Sequence, residues 1–229
     1  MPSILVINPN SSTKVTDGLR AILNAPAGIT LEFYTAPASS PREIDGAQSL
    51  VLSEQATLPD LVKKNLHTAH DGYLVCCYSD HPLVNSLAQI TRLPVLGIMQ
   101  ATLLYSYANA RLQKLFVLTS TSGWNPLLDE GITAFAGTGV FPLHKFQKTR
   151  ALDVSVLSLA DPAEFKKISD RLDFFLQEYK DDHIDCVLLG CAGMAGLDDK
   201  LSAMYPHIEF VDSCKAGVAF LVSLMSFAK

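Results

Sequence analysis

The sequence predicts an α/β fold in which one strand–helix framework occurs twice, and three observations carry that reading. Short, continuous apolar runs of the kind that form strands buried on both faces alternate with segments of helical period. The runs end in polar or glycine-containing turns. Landmarks of the first half also recur in the second half at a nearly constant separation. Cys77 and Cys191 are 114 residues apart, each six residues after an aspartate, Asp71 or Asp185. Ile98 and Asp212 are again 114 apart, and Asn8 and Thr119 are 111 apart. A duplicated βαβ framework accounts for the shared offset. Halves related by a pseudo-twofold axis would turn equivalent strand ends, and with them Cys77 and Cys191, toward one cleft.

Taken in order, residues 4–7 (ILVI) form a buried strand that ends in turn and cap residues, Asn8 to Ser12. Val15, Leu19, Ile22 and Leu23 then share one helical face. Residues 30–35 alternate as a strand, 37–41 form a loop, and 46–67 have helical spacing with a break or kink expected at Pro59. Residues 73–75 (YLV) are a short buried strand delivering Cys76 and Cys77 into the turn Ser79, Asp80, His81, Pro82, which opens a helix carried by Leu83, Leu87 and Ile90. A strand over 93–99 and a helix over 100–111 follow.

The pattern then restarts. Residues 115–118 (LFVL) run into the polar turn 119–123, and a helix follows with Pro126 in its first turn and apolar Leu127, Leu128, Ile132 and Phe135. Residues 140–143, interrupted by Pro142, read as an edge strand. Asp161, Pro162 and Glu164 open a helix whose core face is Phe165, Ile168, Leu172 and Phe175. Residues 185–190 (DCVLLG) are a buried strand that delivers Cys191 into a glycine-rich turn, 208–211 are a strand, and 215–227 are an apolar helix.

The 229 residues, 48% hydrophobic, suffice for a substantial core. The net charge of −5 comes without acidic or basic runs, which argues against a nucleic-acid or membrane surface and for a small-molecule partner. The beginning MPSILVINPN lacks a signal-peptide pattern and no window reaches membrane-spanning length, so we expect a cytoplasmic protein. A homo-oligomer is a separate expectation. Five cysteines without CxxC or HxxxH spacing fit reduced thiols and no metal. Cys76, Cys186 and Cys214 read as small buried hydrophobes.

Two opposed thiols suit one reaction in particular. An acid and a base on opposite faces of a tetrahedral carbon remove a proton from one side and return one to the other, inverting the centre without a cofactor. A thiol pKa near ~8.5, expected to be lowered at a helix N-terminus, would leave one thiolate and one thiol near neutral pH. The carbanion would be stabilised through an adjacent carbonyl and by backbone N–H groups of turns 77–82 and 191–196. No convincing Schiff-base lysine or phosphate cup points to a pyridoxal cofactor. Asn8, Asn10, Thr119 and Ser120, at the polar strand ends, are candidate ligand contacts; a turn or cap role is the plainer reading of each. His81 is expected to be a solvated cap residue, and Trp124 and Met194 packing residues, with Met194 close enough to Cys191 to line the pocket.

Residues 7–12 (INPNSS), 79–82 (SDHP) and 189–194 (LGCAGM) together resemble the hydantoin racemase family within the aspartate/glutamate racemase superfamily, over nearly the whole chain. SDHPLV at 79–84 and SPREIDG at 40–46 resemble its fungal branch, which is linked to allantoin metabolism. The resemblance implies two similar Rossmann-like parallel-sheet domains with the site between them, two catalytic cysteines, no metal, and hydantoin-type rings as substrates. The family's cysteine, aromatic, small residue and aspartate match Cys77, Tyr78, Ser79 and Asp80, leaving Cys76 as the extra thiol. Tyr78, Ser79, Asp80, Gln100, Ala192, Gly193 and Met194 join the candidate substrate contacts. Gln100 stands where bacterial members carry glutamate, and residues 47–50 replace their HYDE-like segment, so substrate identity is the open point. The expected division is residues 1–99 plus 209–229 and residues 100–208. Two other readings remain open: a racemase or isomerase of an open-chain acid such as aspartate, glutamate or maleate, and a non-catalytic small-molecule binding module.

Overall fold

The computed structural model describes residues 1–159 and 161–228. Strands β1 (Ser3–Asn8), β2 (Thr30–Thr35), β3 (Gly72–Val75) and β4 (Val95–Gly97) form a parallel sheet in the order β2-β1-β3-β4. Strands β5 (Leu115–Thr119), β6 (Arg150–Ala151), β7 (Cys186–Gly190) and β8 (Glu209–Asp212) form a second, in the order β6-β5-β7-β8. The two orders are the same, as a duplicated framework requires. The connecting helices are α1 (Thr13–Ile22), α2 (Ala47–Lys63), α3 (Pro82–Ile90), α4 (Ile98–Ala108), α5 (Asn125–Ala136), α6 (Phe165–Glu178), α7 (Leu197–Met204) and α8 (Ser213–Met225). Among the described residues no helix is long and apolar enough to cross a membrane.

The central strands are the continuous apolar runs because each is flanked by a strand on both edges and covered on both faces. Ile4, Val6 and Ile7 of β1, Leu74 and Val75 of β3, and Leu115 to Leu118 of β5 are fully buried. Side chains from both sheets meet in one core: Val6 and Leu74 share it with Val117 and Leu188, joined by Ile98 and Met99 of α4 and Val218 and Leu221 of α8.

Strand β8 pairs with β7 from Cys186↔Glu209 to Leu189↔Asp212, so it lies in the second sheet. Of residues 209–229, expected to return to the first unit, it is helix α8 that crosses over, packing along α4 and onto β3 and β4. Gly217 permits that approach, since an added Cβ would lie 2.7 Å from Leu74 Cδ1.

Several boundaries differ from the sequence reading. Residues 140–143 are not a strand: Gly137 and Gly139 have φ of 65° and 68°, and Val140 is 70% exposed, with no partner to bury against. The edge position belongs to β6, paired with β5 through Leu118↔Arg150 and Thr119↔Ala151. Helix α2 runs through Pro59 and stops at Lys63, where Asn65 turns the chain with φ of 57°. The expected strand over 93–99 forms hydrogen-bonded strand only at Val95–Gly97, because Ile98 already begins α4.

Candidate active site

In each sheet the chain leaves the first central strand toward one edge and returns to build the other. The crevice at the carboxyl ends of β1 and β3, and of β5 and β7, is therefore a topological switch point, where α/β sheets bind ligands. Asn8 ends β1, Cys76 and Cys77 follow β3, Ser120 follows β5 and Cys191 follows β7. The two crevices face each other. One cavity of about 30 Å³ is lined by Asn10, Cys76, Cys77, Tyr78, Ser120, Cys191 and Ala192, with Val15, Ile44, Trp124, Val156 and Gly190 completing its wall. That is room for about one water molecule, less than the small ring expected there.

Cys77 and Cys191 are 9% and 8% exposed. Burial pushes the Cys191 thiol up to about 11, against the pull of the Gly193 N–H and the Ser120 hydroxyl, while the charge of Glu43 adds to the rise. Burial pushes Cys77 up to about 12; the Ser79 hydroxyl, 3.6 Å from its sulfur, opposes this, and the neighbouring Cys191 and Cys76 reinforce it. The expected lowering at a helix N-terminus is thus corrected. Helix α3 begins at Pro82 and α7 at Leu197, each beyond the first turn after its cysteine, and a helix dipole acts over little more than that. Desolvation wins, and Cys191 is the more easily ionised of the two.

The turn after β1 is braced from behind. Asn8 is fully buried; its Nδ2 lies 3.0 Å from Asn10 Oδ1, Ser12 O and Thr16 Oγ1, and its Oδ1 accepts from Asn10 N–H. Asn8 therefore shapes the turn and does not face the cavity, whereas Asn10 lines it. The Pro9 carbonyl accepts from Ser40 Oγ and Ser53 Oγ, both at 2.7 Å. Ser53 Oγ is 3.3 Å from His81 Nε2, and His81 Nδ1 accepts the Leu83 N–H at 3.2 Å, capping α3. An accepting Nδ1 fixes the proton on Nε2. His81 is a cap, as its position suggested, but it is wholly buried instead of solvated, and burial lowers its pKa to about 4.

The other expected contacts divide. Tyr78 lines the cavity with its hydroxyl on Thr102, and Ala192 lines it beside Cys191. Ser79 lies behind Cys77 as its hydrogen-bond donor. Thr119 donates to the Gly190 carbonyl at 3.1 Å, tying β5 to β7. Gly193 lines a neighbouring groove, and only its N–H serves Cys191. Met194 is fully buried in the second sheet's outer core and does not reach the cavity. Asp80 and Gln100 are joined to each other at 3.2 Å outside it, because Asp80 turns toward α5. The site residues not foreseen are Val15, Ile44, Val156 and Gly190. Cys76, placed in the core as expected, also borders the cavity, and Trp124 both packs and lines it. A tryptophan just past the polar turn 119–123 was a legible signal; Ile44 and Val156 lie on loops whose meeting no local pattern records.

Comparisons with known proteins bear on the family and the fold. The chain is 36% identical over 238 residues to Uncharacterized protein C1F7.10 of Schizosaccharomyces pombe, covering 98% of this chain and 92% of that one. It is 25% identical over 228 residues to a hydantoin racemase of Rhizobium meliloti, covering 97% and 88%. In structure it is similar to the allantoin racemase from Klebsiella pneumoniae, with a TM-score of 0.83 at 22% identity over 99% of this chain and 89% of that chain, a likeness of fold. The Asp/Glu/Hydantoin racemase family model matches residues 4–221. With a duplicated parallel-sheet framework and a cysteine at each of two facing strand ends, the chain belongs to the Asp/Glu/hydantoin racemase family.

Proposed function

We propose that this chain is a cofactor-independent racemase of hydantoin-type five-membered rings, allantoin or a 5-substituted hydantoin, with Cys77 and Cys191 as its acid/base pair. The reading is carried by one observation: two thiols from equivalent strand ends border one cavity whose described lining has no charged side chain. One cysteine, as thiolate, takes the proton from the ring carbon next to a carbonyl, and the electron pair delocalises into that carbonyl. The other, as thiol, delivers its proton to the opposite face, so that each turnover exchanges the two protonation states. Of the two, Cys191 is the one that gives up its proton first, since the Gly193 N–H and Ser120 hydroxyl favour its anion. The N–H groups of Tyr78 and Ala192 take no loop or turn carbonyl as acceptor among the described residues, and both residues line the cavity, which suits them to a developing enolate oxygen. An uncharged lining matches a neutral ring better than an open-chain dicarboxylate, whose charges would be buried unpaired. The names of the Rhizobium and Klebsiella proteins support the ring class.

The test is racemisation and solvent-deuterium incorporation with single enantiomers of allantoin and 5-substituted hydantoins. Cys77→Ser and Cys191→Ser should each abolish racemisation. Unchanged racemisation in either variant, or activity on aspartate or glutamate with none on rings, would sink the proposal.

A further inference from the structure

The motif SPREIDG lines the cavity through Ile44, and its Glu43 reaches from the first half to the second. One Glu43 oxygen accepts the Val156 N–H at 2.7 Å, and both accept from the Ser155 hydroxyl at 3.1 Å. From α1, Lys14 Nζ donates to the Leu157 carbonyl at 2.7 Å. Residues 155–157 thus belong to the second half but are held at their tip by the first. Their base is tied to the second half: Leu152 and Val154 N–H groups bond to the Thr119 and Ser120 carbonyls, and Leu159 is fully buried. Within that base, Asp153 has φ of 54° and is itself pinned, its carboxylate accepting from the Ser122 N–H at 2.9 Å and from Arg171 at 3.1 Å. Movement of the tip would therefore begin beyond Val154.

Val156 also separates two spaces. The cavity of about 30 Å³ between the thiols lies on one side. On the other is a groove of about 300 Å³ walled by α1 and by the turn after Cys191, and Val15, Val156 and Ala192 border both. The Val156 carbonyl rests on Gly193, where an added Cβ would lie 2.7 Å from it. Lifting residues 155–157 would join the groove to the thiols and make room for a ring.

We propose that residues 155–157 form a lid over Cys77 and Cys191, that Glu43 is the positioning residue that clasps it shut, and that substrate enters through the outer groove. The proposal rests on the two thiols being the site, but its test needs no substrate and so stands or falls apart from racemisation. Labelling by iodoacetamide, followed by peptide mass mapping, is compared in the wild type, Glu43→Ala and Glu43→Gln. Cys77 is the position to read, because the Glu43 charge acts on the Cys191 thiolate and is not among the influences on Cys77. Losing a charge-assisted clasp should raise labelling of Cys77 by about 10-fold or more in Glu43→Ala, in proportion to the open population. Glu43→Gln, whose amide oxygen still accepts the Val156 N–H but without the charge, should raise labelling clearly less than Glu43→Ala, and Cys186 and Cys214 should stay protected throughout. Unchanged labelling in Glu43→Ala, a parallel rise at Cys186 and Cys214, or equal effects of Gln and Ala would each overturn the lid.

Discussion

Acidification should loosen this protein through His81, and by an amount the structure supplies. The imidazole is fully buried, its Nδ1 accepts the Leu83 N–H, and its Nε2 faces Ser53 Oγ. A second proton could enter only by breaking the cap and placing a charge among apolar neighbours. Its pKa accordingly falls from the ordinary 6.5 to about 4. For a base with a lowered native pKa, the unfolded chain takes the proton first. Stability is therefore unaffected above pH 6.5, falls as pH drops from 6.5 toward 4, and levels off below. Over that window the loss amounts to about 3 kcal/mol, with a limiting slope of about 1.4 kcal/mol per pH unit. Because Ser53 links His81 to the Pro9 carbonyl, the same event should loosen the turn carrying Asn10. The assay is urea unfolding at pH 7, 6, 5 and 4 for the wild type and His81→Asn, which keeps a capping side chain but cannot titrate. The carboxylates contribute equally to both proteins, so the difference between the two curves isolates the histidine. Parallel curves across the window would refute the argument.

Four further outcomes follow from the site. Ser120→Ala removes a hydroxyl that favours the Cys191 anion; at about 1.5 kcal/mol or more for a hydrogen bond to a charged group, proton exchange with deuterated solvent should slow by about 10-fold or more, without loss of folded protein by circular dichroism. Both thiols ionise above their ordinary range, so labelling of Cys191 should climb about tenfold per pH unit from 7 to 9, ahead of Cys77; a plateau near neutral pH would contradict the desolvation argument. The same shifts mean that stability is intact below the ordinary thiol value near 9 and declines as pH rises toward about 11 and 12, which alkaline unfolding curves would show. Gly190→Ala would put a Cβ 2.5 Å from Val117 Cγ1 and 3.0 Å from the Leu118 carbonyl, so a loss of about 1 to 3 kcal/mol in urea unfolding is expected, together with weakened activity from the displaced Cys191.

Much of the fold could be read from local pattern because its elements are local. Apolar runs such as 115–118 and 186–190 become central strands for the reason that makes them recognisable, burial on both faces. Where local preference was weak, the reading slipped: 140–143 has strand-like residues but two left-handed glycines beside it, and Pro59 did not break a helix held by Ser53, Thr57 and Leu61 against the first sheet. Among the site residues, those one or two positions past a central strand, Asn10, Cys77, Ser120, Cys191 and Ala192, all border the cavity, as does Tyr78, three positions past β3. Asp80, Gln100 and Met194 do not, because side-chain direction in a turn depends on what packs beside it: α5 for Asp80, and the outer core for Met194.

By itself the sequence determined that one framework occurs twice and that Cys77 and Cys191 stand at equivalent strand ends, since periodicity and separation along the chain are enough to fix both. The tertiary structure alone decided that His81 is buried, that both thiols ionise reluctantly, and that Glu43 reaches across to hold residues 155–157 above them. Desolvation sums over every neighbour packed around a group, and the Glu43 contact joins residues 113 apart in the chain. Neither quantity exists until distant segments meet.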